Sequence, residues 1–186
     1  MDALLTSTLI VALAEMGDKT QLLAVILATR FRKPLPIIGG ILAATLANHA
    51  LAAFAGVAAA SLLDGVWFRY AVALSFVAMA AWTLVPDKAD EESGQSSRYG
   101  PFLTTCIAFF LVEIGDKTQV ATIALGAQFQ NVAWVTMGTT LGMMIANLPA
   151  VYLGHELIKR VTLRTVQRVA ALLLLGLGLW IAAETA

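Results

Sequence analysis

The amino-acid sequence predicts an all-α membrane protein of six transmembrane helices, arranged as two inverted-topology three-helix repeats. Three observations carry that expectation. Hydrophobic residues make up 59% of the 186 positions and charged residues 13%, a balance outside the usual range of soluble domains. The apolar residues fall into six runs near the roughly 20 residues needed to cross a hydrocarbon core. One heptapeptide pattern, Glu-x-Gly-Asp-Lys-Thr-Gln, occurs from Glu15 to Gln21 and again from Glu113 to Gln119, each time in the middle of an apolar run.

The first run, about Ala3 to Ala28, holds the first motif. It lacks the basic start and the cleavage site of a signal peptide, so a retained helix is expected. The second run, Leu35 to Ala60, is opened by Pro34 and Pro36, and the third, Val66 to Val85, is closed by Pro86. Proline is tolerated at such ends because a missing N–H costs least there. Pro101 opens the fourth run, Phe102 to Gly126, which holds the second motif and the single cysteine, Cys106. One cysteine excludes an intramolecular disulfide and leaves the redox compartment open. In the fifth run, Val132 to Leu153, Pro149 is expected to kink the helix and leave the carbonyl of Ile145 without its partner. The sixth runs from Val166 to Ala183. Before it, His155 to Arg168 mixes basic residues with Leu157, Ile158, Val161 and Leu163, as a short amphipathic segment on the inner surface would.

Arg30, Arg32, Lys33, Lys88, Arg98, Lys159, Arg160 and Arg164 fall in the loops after helices one, three and five, while the opposite side shows Arg69 and little else. Cytoplasmic loops retain basic residues, so both termini are expected to face outward. With a net charge of zero and no basic patch beyond those loops, nothing points to nucleic acid.

The two motifs lie 98 residues apart, and the likeness extends around them: Arg30-Phe31 matches Gln128-Phe129, Ala47-Asn48 matches Ala146-Asn147, and Trp82 matches Trp180. An internal duplication therefore covers nearly the whole chain, with residues 1–86 as the first repeat, 87–100 as a solvated cytoplasmic linker and 101–186 as the second repeat. An odd number of helices per copy inverts the second copy in the bilayer. Inverted repeats are a common transporter architecture, with the substrate site at the midplane where the copies meet.

On a continuous helix Glu15, Asp18 and Gln21 form an i, i+3, i+6 row, as do Glu113, Asp116 and Gln119. Gly17 and Gly115 lie roughly opposite that row, suited to close packing or to local unwinding that frees carbonyls. Thr20 and Thr118 point elsewhere unless the helix is distorted. A purely structural role would pair Glu15 with Lys19 and Glu113 with Lys117 at i, i+4. Six intramembrane charges nevertheless cost roughly 15–20 kcal/mol at about 2.5–3.5 each, and pairing gives no reason to place them there twice. Two acids and one lysine in each motif leave a formal charge of −2 over the two motifs together, which a divalent cation would neutralise. Carboxylates, amides and hydroxyls are hard donors suited to Ca²⁺, Mn²⁺ or Mg²⁺, and the motifs lack the cysteine or histidine expected for Zn²⁺ or Cu⁺. Asn48 and Asn147 are candidates for lining the pathway. His49 could shuttle a proton, although a lone histidine is more often a packing residue. The methionines and remaining aromatics are assigned no chemistry.

These residues resemble the Gdt-type cation transporters, whose signature is two E-x-G-D-[KR]-[ST] motifs in two homologous three-helix halves. The resemblance covers the chain end to end and implies export of Mn²⁺ or Ca²⁺ from the cytosol in exchange for protons. The acids it carries over are Glu15, Asp18, Glu113 and Asp116, with Gln21 and Gln119 as further metal ligands and Lys19, Thr20, Lys117 and Thr118 beside them. It implies no bound cofactor: the divalent cation is cargo and protons are the coupling ion. A compact bacterial plasma-membrane member, exporting manganese, is the leading expectation, and a Ca²⁺/H⁺ antiporter is the alternative within the family. Driving two positive charges out against about 100 mV costs roughly 4.6 kcal/mol, which a coupled ion must supply. No phosphate-binding Walker loop is present, since the glycine before Lys19 is replaced by Asp18. Two further classes fit less well: an intramembrane aspartyl protease, whose G-x-G-D signature would need glycine at Glu15 and Glu113, and an exporter of small organic cations or amino acids, for which no aromatic cage is offered.

Overall fold

The computed structural model describes residues 2–63, 65–84, 99–153 and 163–186, and every regular element among them is an α-helix. In chain order these are α1 (Ala3–Glu15), α2 (Lys19–Phe31), α3 (Pro34–Leu62), α4 (Val66–Thr83), α5 (Pro101–Glu113), α6 (Lys117–Phe129), α7 (Val132–Leu153) and α8 (Leu163–Thr185). The first and fourth apolar runs are thus each cut in two at the repeated motif, which corrects the expectation of a continuous helix there. The backbone leaves the helix at Met16 (ψ 113°) and Ile114 (ψ 121°), turns through Gly17 at φ 85° and Gly115 at φ 78°, and resumes after an extended Asp18 or Asp116. Only glycine takes such a positive φ without the clash that a β-carbon creates. The i, i+3, i+6 row of acids and glutamine therefore does not form, because its first member belongs to a different helix from its last.

The duplication is visible in the element boundaries. Helices α5 and α6 begin and end 98 residues after α1 and α2, and the left-handed residues that close α2 and α6, Arg32 (φ 52°) and Gln130 (φ 48°), stand at the same offset. In both, the N–H of that residue donates to a carbonyl four residues back, 2.9 Å away.

Among the described residues three helices are long and apolar enough to cross a membrane unaided: α3, α4 and the Gln167–Thr185 part of α8. Helices α1 and α5 are apolar, but 13 residues give only about 20 Å at 1.5 Å per residue, short of a hydrocarbon core of about 30 Å. The distribution of polarity is that of a protein in lipid. Leu5, Leu51, Phe54, Leu74, Leu111 and Leu172 face outward, while Glu15, Asp18, Asn48, His49, Glu113, Asp116 and Asn147 are all buried. Charged groups inside a membrane turn toward the bundle interior for this reason.

Packing runs mainly between the halves, α1 on α7, α3 on α5 and α6, and α4 on α8. Glycine brings two of these pairs together: a β-carbon on Gly138 would lie 2.6 Å from the carbonyl oxygen of Leu4, and one on Gly40 would lie 2.6 Å from that of Phe102. Leu4 and Phe102 are themselves 98 apart, so the α1–α7 and α5–α3 contacts are copies of one another. That register makes His49 the counterpart of Asn147 and Asn48 the counterpart of Ala146, one residue away from the pairing read from the sequence. Two apolar clusters fill the remaining interior, one around Phe76, Leu125 and Ile181, the other around Leu27, Ile37 and Phe109.

Pro34 and Pro101 stand at helix starts, as expected, whereas Pro149 lies inside α7, which continues to Leu153. Nearly all of the linker, up to Arg98, and residues 155–162 of the amphipathic segment lie outside the described residues.

Candidate metal centre in the broken helices

Each break presents its side chains in the same way. Asp18 and Asp116 occupy the N-cap positions of α2 and α6, yet neither carboxylate makes the usual bond to the first-turn N–H groups. They meet lysines instead, and the lysines come from the opposite half. Lys19 Nζ lies 2.8 Å from Asp116 Oδ1, and Lys117 Nζ lies 3.7 Å from Asp18 Oδ1. The ion pairs therefore cross between the repeats, where the sequence suggested local pairs of Glu15 with Lys19 and Glu113 with Lys117.

Glu15 and Glu113, the last residues of α1 and α5, are fully buried. The break brings the next helix back over each of them, so that Thr20 donates its hydroxyl to Glu15 Oε2 and Thr118 donates to Glu113 Oε1. Thr118 Oγ1 also lies 3.4 Å from Asp116 Oδ2. Helical distortion thus gives both threonines a place at the acids that a straight helix denies them. The second oxygens, Glu15 Oε1 and Glu113 Oε2, accept no hydrogen bond among the described residues. Carboxylate oxygens of Glu15, Glu113 and Asp116 lie within 4.8 Å of one another, about twice a typical Ca²⁺–oxygen distance of 2.3–2.6 Å. One cation could contact all three. Asp18 stands outside this trio, facing Lys117.

The glutamines hold the breaks closed. Gln21 Oε1 accepts the N–H of Gly17 at 3.0 Å and Gln119 Oε1 accepts that of Gly115 at 2.7 Å. Their amide nitrogens reach across to the other half, Gln21 to the carbonyl of Ala146 at 2.9 Å and Gln119 to Asn48 Oδ1 at 2.6 Å. Ala146 adjoins Ile145, whose carbonyl Pro149 leaves without its usual N–H donor. Asn48 further lies 3.4 Å from the Phe110 carbonyl, and Asn147 donates to Met143, keeping its own oxygen unpartnered.

One neighbour was undervalued by the sequence. His49 Nε2 lies 3.8 Å from Glu113 Oε1, and the ring is completely buried. The signal that could have found it is positional: it sits 98 residues before Asn147, a polar residue in the same register.

Helix ends add to the field of the site. The N-termini of α2 and α6 carry partial positive charge that favours the nearby aspartates, and the C-termini of α1 and α5 carry partial negative charge that favours a cation. A buried, acid-rich centre built by both halves can therefore hold a divalent cation, with one lysine from each half paired to an aspartate of the other.

Comparison with known proteins agrees in kind. A family model described as "Divalent cation/proton antiporter GDT1" matches residues 3–91 and 101–186. A protein of Vibrio cholerae serotype O1 named "Putative manganese exporter" is 51% identical over the whole chain and 91% of its own length. GDT1-like protein 3 of Arabidopsis thaliana is 30% identical over 94% of the chain and 68% of its own length. A GDT1-like protein of Synechocystis is 28% identical, covering 93% of each. No solved structure matches the chain.

Proposed function

Because the chain belongs to the GDT1 family of divalent cation/proton antiporters, we propose that it exports Mn²⁺ from the cytosol in exchange for protons. It is a membrane transporter and not an enzyme, which sets aside the intramembrane protease. The observation that carries the proposal is the buried trio of Glu15, Glu113 and Asp116, contributed by both halves at two matched helix breaks. The name of the Vibrio cholerae relative supports manganese as cargo. Ca²⁺ is the second candidate, since oxygen donors alone serve both ions.

In this scheme Mn²⁺ reaches the trio from the cytoplasm and displaces the ammonium of Lys19 from Asp116. Glu15 and Glu113 supply carboxylate oxygens, while Gln21 and Gln119 fix the geometry of the breaks and keep a lone pair available as outer ligands. Asp18 and Lys117 form the balancing pair on the other side, and Asn48, Asn147, Thr20 and Thr118 line the approach. After release, protons return on the same carboxylates, because acids held close together in a low-dielectric site favour protonation unless a cation is present. Metal and protons then compete for one set of oxygens, which is the minimal requirement for exchange.

The same proposal includes the topology. Helices α1 with α2, and α5 with α6, each make up one broken span, giving six spans in two inverted repeats over residues 1–86 and 101–186, with both termini outward in a bacterial plasma membrane. Broken helices at the midplane are a recurrent way to build an ion site between inverted repeats.

The test is proton movement in proteoliposomes carrying a lumenal pH dye, with Mn²⁺, Ca²⁺ or Mg²⁺ added in turn. A pH change with Mn²⁺ that Glu15→Gln abolishes is the expected result. Silence with all three metals would exclude coupled exchange.

A further inference from the structure

The motif residues of the two halves correspond one for one, yet the helices that cover them do not. At the 98-residue register, α3 presents Asn48-His49 where α7 presents Ala146-Asn147. His49 is therefore an addition by one half to an otherwise duplicated centre. It is fully buried, neither ring nitrogen has a hydrogen-bond partner among the described residues, and Nε2 lies 3.8 Å from Glu113 Oε1. A histidine kept only for packing would ordinarily satisfy at least one nitrogen, because buried polar groups are hydrogen-bonded as a rule. His49 stands outside the group of Glu15, Glu113 and Asp116 whose oxygens lie within 4.8 Å of one another, but at 3.8 Å from Glu113 its imidazole has the spacing of a second ligand to an ion held by that carboxylate, since a cation with ligand distances of about 2.1–2.5 Å reaches both atoms.

We propose that His49 is a nitrogen ligand to the transported cation and the residue that biases the site toward Mn²⁺ over Ca²⁺ and Mg²⁺. This rests on the transport function proposed above and adds a donor that the motifs lack. Oxygen donors serve all three ions, whereas Mn²⁺, the first-row transition metal among them, accepts an imidazole nitrogen more readily than Ca²⁺ or Mg²⁺, which take oxygen. Glu15, Glu113 and Asp116 supply charge, and His49 supplies discrimination. Asn147, at the matching place in the other half, offers an unpartnered amide oxygen, a donor without that preference.

Two measurements test the assignment. Electron spin-echo spectroscopy of Mn²⁺ bound to the purified wild-type protein should show coupling to an imidazole ¹⁴N nucleus, absent in His49→Gln. In proteoliposomes, the ratio of apparent affinities for Mn²⁺ and Ca²⁺ should fall about tenfold in His49→Gln with Ca²⁺ exchange retained. Bound Mn²⁺ without nitrogen coupling in the wild type, or an unchanged Mn²⁺/Ca²⁺ ratio in the variant, overturns the role of His49 and leaves the transporter reading intact. A wild-type protein that neither binds nor moves a divalent cation removes both. Because the spectroscopic arm uses the wild-type protein, the assignment stays falsifiable even if His49→Gln fails to fold.

Discussion

Replacing Lys19 by methionine tests whether the lysines act as resident counter-ions. The substitution keeps an unbranched side chain of similar reach and removes only the charge facing Asp116. At 2.8 Å and an effective dielectric constant of about 20, two unit charges attract by about 6 kcal/mol. The Lys117–Asp18 pair, at 3.7 Å, comes to about 4.5 kcal/mol on the same basis. Much of that is offset, because a displaced Lys19 regains water: its side chain is 24% exposed, against 6% for Lys117. A net penalty of about 1–3 kcal/mol for displacing the ammonium corresponds to roughly 5- to 150-fold in cation affinity. Lys19→Met should therefore bind Mn²⁺ more tightly by about tenfold or more, while its maximal exchange rate falls because release loses the competing ammonium. Lys19→Arg, which keeps the charge, should stay near wild type. Equilibrium titration of the detergent-purified protein, following free Mn²⁺ by its electron paramagnetic resonance signal, reads the affinity directly. Weaker or unchanged binding in Lys19→Met would refute the counter-ion role and make the lysine an organiser of the acids.

Glu113→Gln keeps the shape of the side chain but withdraws its charge from the trio, so Mn²⁺-driven proton movement should drop at least 100-fold in the liposome assay while the protein still elutes as a folded species. With equal pH on both sides, the apparent affinity for Mn²⁺ should weaken as pH falls, because each proton taken up occupies an oxygen the metal needs; a pH-independent affinity would separate the two ions. Gly138→Ala would force a β-carbon to 2.6 Å from the Leu4 carbonyl and 2.8 Å from Ser7 Cβ, an overpacking expected to cost about 1–3 kcal/mol and to lower the unfolding temperature without removing a ligand.

Much of this fold was legible because lipid makes apolar length and buried charge easy to read. The run from Val132 to Leu153 became α7 with the same ends, and the duplication carried through to the positions where helices break. Helix periodicity failed at the motifs, where it assumed a continuity that Gly17 and Gly115 interrupt. Glycine permits unwinding there, but a sequence does not state whether a permissive residue uses its freedom. The cross-pairing of Lys19 with Asp116 was illegible for another reason: i, i+4 rules see only neighbours on one helix, and this partner lies in the other repeat. His49 is legible in the sequence only as a lone histidine that could shuttle a proton, because it sits outside the motif, on the helix that α5 packs against.

The two halves are alike in sequence at the breaks but not in state. Lys19 is the closer and more exposed of the two lysines, and Lys117 the more distant and more buried. If inverted repeats exchange conformations during transport, as their symmetry allows, this structure is one of two end states, and its partner has Lys117 as the accessible lysine. Cysteine accessibility can detect the exchange once Cys106 is replaced. Lys19→Cys should react with a hydrophilic thiol reagent faster than Lys117→Cys in metal-free protein at neutral pH. An outward-directed change in Mn²⁺ or pH that populates the other state should narrow or reverse the order. If the two rates kept the same ratio under every condition, the asymmetry would be a fixed property of the bundle, and alternation would have to reside elsewhere than in the crossed lysine–aspartate pairs.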